Sequence, residues 1–130
     1  MYLVTLLSVV VSIVYSMDPR CFKPVEIITN GCTTPLNMHF FYKQDFTPAC
    51  EHHDICYGCG KTYGGKDQSY CDEQFHQDMK AICEDMFFTK ICNVFASLFY
   101  KGAVAFGSHY YKNEIRQICK DHAWMSGCFN

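Results

Sequence analysis

The sequence predicts a small all-α, disulfide-rich domain. Three observations carry that prediction. Ten cysteines all lie between Cys21 and Cys128. Apolar residues beyond Thr47 recur at helical spacing. An uncharged apolar run precedes the first cysteine and points to an oxidising compartment. The 130 residues allow one domain and leave no room for two. Charged residues make up 18% and aromatics 16%, which argues against a disordered, solvating chain. The net charge is -2, and the 11 lysines and arginines are scattered with no two adjacent, which argues against nucleic acid as a partner.

Taken in order, residues 2–14 read YLVTLLSVVVSIV, without a charge. A bilayer needs about 20 apolar residues, so the run is short for a membrane anchor. It fits the apolar centre of a secretory signal, although the amino terminus supplies the only positive charge before it. Small or apolar residues at Val14 and Ser16 place cleavage after Ser16, giving a signal peptide over 1–16 and a mature domain over 17–130. In a secreted chain an even cysteine count means five bridges, whose connectivity sequence alone does not give.

Asp18 to Asp45 carries turn signals, and Thr29 to Pro35 is a loop by composition. A first helix starts at Thr47, with Thr47 as cap, Pro48 in the first turn and Glu51 complementing the dipole, and frays near Gly58 to Gly60. Lys61 to Gln68, with Gly64-Gly65, is a loop or hairpin. A second helix starts at Ser69, where Ser69 and Asp72 have capping-box spacing. Cys71, Phe75, Ile82, Cys83 and Phe87 would face its core side. Thr89 to Phe106 offers Ile91, Val94, Phe95, Leu98 and Phe99 for burial, either continuing that helix or forming another. Tyr110 to His122 is a last helical candidate.

The chemistry lies in Cys50 to Gly60. On a helix His53, Cys56 and Tyr57 share a face, whereas His53 and Asp54 diverge by about 100° and need separate tasks. A histidine titrating near neutrality can serve as general base. The neighbouring carboxylate, facing a loop of backbone carbonyls, can bind a hard cation such as calcium. Two plainer readings compete. The cysteines and histidines could hold zinc, against which stand secretion and the even cysteine count. His52, pointing away from the shared face, reads as an ordinary polar helix residue.

The pattern Cys-x-x-His-Asp-x-Cys-Tyr, formed by Cys50, His53, Asp54, Cys56 and Tyr57, resembles the active-site helix of secreted phospholipases A2. Tyr70 to Phe75 resembles the family's Cys-Asp segment, and Asn30 to Leu36 resembles a short-looped calcium loop. The Asn-Gly-Cys opening and the Cys-Asp-Glu-x-Phe run are most similar to the conodipine (group IX) branch, with group XII features. The resemblance covers about Asn30 to Cys83. It implies two antiparallel core helices with an N-terminal calcium-binding loop, and the pairs Cys56–Cys71 and Cys32–Cys50. Many members carry a further cysteine at the position of Ala49, with its partner at that of Asp78; both are absent here together.

The resemblance implies calcium-dependent hydrolysis of the sn-2 ester of glycerophospholipids at a membrane surface, in a secreted venom component. His53 would be the base and Asp72 its orienter, with Tyr57 bonded to Asp72. Asp54 and the loop near Asn30, Gly31 and Thr33 would bind Ca2+. Asn30 stands where some relatives have an acidic ligand, and this loop has fewer glycines than most. Residue by residue, Asp72 also reads as a helix cap, Asp54 as a solvated charge and Tyr57 as packing. Phe40, Phe41, Tyr42 and Phe46 either meet lipid or fill the core. A two-chain, disulfide-linked mature form also follows from the resemblance; with no dibasic site, its cuts would fall at single basic residues. The rival reading is a phospholipase-like toxin that binds a channel or receptor without catalysis.

Overall fold

The computed structural model describes residues 17–25, 28–32 and 41–129. The proposed signal segment and the loop residues Thr33 to Phe40 lie outside the described residues. Among the described residues four α-helices follow one another: α1 Thr47–Cys59, α2 Gln68–Glu84, α3 Thr89–Phe106 and the short α4 Gln117–Lys120. Three 3-10 turns, Pro19–Phe22, Gly107–His109 and Ala123–Cys128, complete the order, and no strand occurs among the described residues.

Helix α1 begins where proline and the preceding turn predict, but not with the predicted cap. Phe46 holds the cap position without a side-chain bond, and the Thr47 hydroxyl donates to the Lys43 carbonyl at 3.2 Å. Glu51 lies beyond the first turn, which contains no acid, so it does not serve the helix dipole. For α2 the cap is Asp67, whose carboxylate accepts from the Tyr70 amide at 2.8 Å. That corrects the expected Ser69–Asp72 capping box: two residues earlier, an aspartate satisfies the orphan amide, and Asp72 is left to face α1.

α2 ends at Glu84, and a turn separates it from α3, so the two are distinct helices. Cys71, Phe75 and Cys83 are buried as expected, but Phe87 falls beyond the helix and is 93% exposed. The expected burial along α3 is also corrected. Cys92 and Ala96 are its buried residues; Phe95 and Phe99 are partly covered, whereas Ile91, Val94 and Leu98 are exposed. A cysteine and an alanine let α3 approach α2 closely, and its opposite face has no covering layer among the described residues. By length and apolarity Thr89–His109 could cross a membrane, yet one face is held to α2 by packing and by the Cys83–Cys92 bridge.

The predicted last helix shrinks to α4. Residues 111–116 instead run across the C-terminal end of α1, where the Lys112 amide donates to the Tyr57 carbonyl at 2.9 Å. The Arg116 amide donates to the Thr62 hydroxyl at 3.1 Å, and its guanidinium to the Gly58 carbonyl at 3.1 Å. These tertiary bonds replace the helical ones the segment would otherwise make.

α1 lies in the middle of the molecule. On one side Phe46, Ala49, Phe75 and Met79 form a core with α2 and α3. On the other, Ile55 and Cys59 pack with Cys21, Cys119 and Met125 from the two ends of the chain. All ten cysteines are paired: Cys21–Cys128, Cys32–Cys50, Cys56–Cys71, Cys59–Cys119 and Cys83–Cys92. Both expected pairs are present, and no thiol remains for a zinc site.

Candidate active site

The Cys56–Cys71 bridge ties α1 to α2 and brings their polar residues together. His53 Nε2 lies 2.8 Å from Asp72 Oδ1. A carboxylate accepts, so Nε2 carries the proton and Nδ1 is left as an acceptor. Among the described residues no group is hydrogen-bonded to Nδ1. Phe75 stacks on the imidazole, centroids 4.3 Å apart, and Tyr57 lies against it at 4.1 Å.

Asp72 is 2% exposed and held from two further sides. The Tyr57 hydroxyl donates to Oδ1 at 2.5 Å, and the Gln68 amide approaches Oδ2 at 3.4 Å. Burial and the bond to Asp72 push the Tyr57 phenol well above its usual range, so it remains a donor. Gly107 permits this arrangement, because a Cβ there would overlap the Tyr57 hydroxyl. Asp72 therefore faces His53 and Tyr57 rather than capping α2, and its reading as a cap falls away.

Asp54 points from α1 toward the loop. Its Oδ2 accepts from the Asn30 amide at 2.9 Å, and the Gly31 amide also bonds it. In this structure the loop thus meets Asp54 through amides; Thr33 lies outside the described residues. Burial, and then the nearby charge of Glu51, push the Asp54 carboxyl up to about 7, against the pull of the two amides. Glu51 is 3% exposed, and its Oε2 is buried without a hydrogen-bond partner among the described residues. No lysine or arginine among the described residues forms an ion pair with Glu51 or Asp54. No group of three or more acidic, histidine or cysteine side chains is arranged for a metal among the described residues. A buried and a half-buried carboxylate without a cationic partner, beside a loop that can add carbonyls, nevertheless fit a hard divalent ion.

His52 departs from its reading as an ordinary polar residue. It is 2% exposed, with Nδ1 2.5 Å from Asp78 Oδ2 and Nε2 2.8 Å from the Cys128 carbonyl. Phe22 packs on its ring. Asp78 thus links α2 to α1 through a hydrogen bond. Burial pulls the His52 imidazole down, but the bond and charge of Asp78 outweigh it, and the net shift is upward. Of the aromatic residues expected near lipid or core, Phe46 is fully buried, Tyr42 packs on it and Phe41 is 77% exposed. Sequence reasoning missed Gln68 and Gly107 because both reach the site from outside the motif.

The chain matches the family described as prokaryotic phospholipase A2 over residues 17–107. It belongs to that phospholipase A2 family. Among its relatives, Conodipine-P3 of Conus purpurascens is 43% identical over 58 residues, 45% of this chain and 31% of that protein. Conodipine-M alpha chain of Conus magus is 41% identical over 65 residues, half of this chain and 82% of that one. The human group XIIA secretory phospholipase A2 is 29% identical over 103 residues, 72% of this chain and 52% of that protein. The match thus spans about a third of Conodipine-P3 but most of the Conodipine-M alpha chain. No solved structure matches the chain.

Proposed function

We propose that the protein is a secreted, calcium-dependent phospholipase A2 that hydrolyses the sn-2 acyl ester of glycerophospholipids at a membrane surface. The observation that carries this reading is the His53–Asp72 pair with Nδ1 left open, one residue from the half-buried carboxylate Asp54. His53 takes a proton from a water at Nδ1 as that water attacks the ester carbonyl, then returns it to the leaving alkoxide. Asp72 fixes the tautomer and stabilises the imidazolium, while Tyr57 and Gln68 hold Asp72 in place. The arrangement resembles a serine triad in which water replaces serine. Asp54 and the backbone near Asn30 and Gly31 would hold calcium, with Thr33 added from the loop. Bound there, the ion would polarise the ester carbonyl and stabilise the developing oxyanion.

Contact with a membrane is supported by the outer face of α3. Ile91, Val94 and Leu98 are exposed there, and the only charges on the helix are those of Lys90 and Lys101. The name Conodipine-M alpha chain also supports a two-chain mature form, which intact mass before and after reduction would reveal. The activity is tested with phosphatidylcholine vesicles labelled in the sn-2 acyl chain. Label release is expected with calcium and its abolition with EGTA. Release unchanged by chelator would overturn calcium dependence, and no release at any calcium level would overturn the activity.

A further inference from the structure

Glu51 has no part in the catalytic scheme above, yet its surroundings are those of a ligand. The side chain is 3% exposed, and Oε2 has no hydrogen-bond partner among the described residues. A buried carboxylate left in that state is costly unless a cation or a proton neutralises it. Glu51 and Asp54 are three residues apart on α1, so their side chains lie on neighbouring parts of one face. The loop Asn30–Gly31–Cys32 lies against both, fixed to α1 by Cys32–Cys50. The Asn30 amide bonds Asp54, and Gly31 sits so near Glu51 that a Cβ there would lie 3.3 Å from Oε1. Gly31 also has φ +72°, so backbone conformation favours glycine there. Asn30 is neutral, and the described loop residues bring no charge of their own.

We propose that Glu51 is a second carboxylate ligand of the calcium site, so that the ion is held between Glu51 and Asp54 of α1. The inference rests on the calcium reading above and deepens it. Two carboxylates balance the charge of the ion, and the unpartnered Oε2 gains the partner it lacks.

Calorimetric calcium titration of the full protein tests this without reference to activity. Glu51→Gln keeps the shape and removes the charge; its calcium affinity is expected to fall by ~10-fold or more, with Glu51→Asp intermediate. Melting in EGTA and in excess calcium adds a second readout: the calcium-induced rise in Tm is expected to be smaller in Glu51→Gln than in the natural protein. Equal affinity and an equal rise would overturn the proposal. If Glu51→Gln does not fold, infrared difference spectra of the natural protein decide. Calcium is expected to perturb two carboxylates, and perturbation of one alone would overturn the assignment. If the natural protein binds no calcium, the calcium reading falls together with Glu51. If it binds and Glu51→Gln binds equally, only Glu51 falls.

Discussion

Two histidine–aspartate pairs join α1 to α2, and they differ in one respect that matters for chemistry. His53 pairs with Asp72 through Nε2, and Nδ1 has no described partner. His52 pairs with Asp78 through Nδ1, and Nε2 is taken by the Cys128 carbonyl. The first imidazole has a nitrogen left to exchange a proton with water, whereas the second has both occupied. In the proposed mechanism, adjacent residues of the same type thus divide into a base and a brace. What separates them is the second nitrogen, not burial or the presence of a carboxylate, since both rings are largely buried and both have one.

The largest expected effect breaks that comparison by exchanging losses. His53→Gln is expected to lower vesicle hydrolysis by ~10³-fold or more with little change in Tm. His52→Ala is expected to destabilise by about 3 kcal/mol, because it leaves Asp78 without its ring partner, while turnover per folded molecule stays near that of the natural protein. Hydrolysis assays and urea titrations of both variants would read the two effects separately. Comparable loss of turnover in both variants would remove the distinction.

A smaller effect is expected at Gly107. In Gly107→Ala the new methyl group meets the Tyr57 hydroxyl, which must leave Asp72. A fall in kcat of ~10-fold with calcium affinity unchanged is expected, because Tyr57 positions Asp72 and does not touch the substrate. Tyr57→Phe in the Gly107→Ala background should then add little.

The smallest effect concerns pH and the brace alone. The His52 pKa is raised above 6.5 in the folded protein. Its contribution to stability is therefore full below 6.5 and is lost as pH rises through the raised folded value. Asp54, up to about 7 without a cation, also costs stability as pH rises, so the comparison belongs in saturating calcium. Urea midpoints should fall with rising pH in the natural protein and less steeply in His52→Ala.

Much of this was legible in the sequence where local rules decide. Proline at residue 48 and the spacing of Cys50, His53, Cys56 and Tyr57 define α1 and its working face. The motif resemblance anticipated the Cys56–Cys71 and Cys32–Cys50 pairs. Where long-range packing decides, the sequence was less informative. Ile91, Val94 and Leu98 have the composition of core residues, and only the absence of a layer beyond α3 exposes them. Residues 111–116 have helical composition, but Lys112 and Arg116 give their amides to α1 and its following loop. His52 looked solvated because Asp78 is 26 positions away and Cys128 is 76. Glu51 carried a readable sign, its three-residue spacing from Asp54, but only its burial shows that Oε2 has no hydrogen-bond partner among the described residues.

The placement of the bridges has one more consequence. Three of them, Cys21–Cys128, Cys56–Cys71 and Cys59–Cys119, cross the segment between Cys59 and Cys71. A proteolytic nick in that segment would put His53 and Asp72 on different polypeptides still joined by three covalent links. Continuity of the backbone and integrity of the His53–Asp72 pair are therefore separate properties of this molecule.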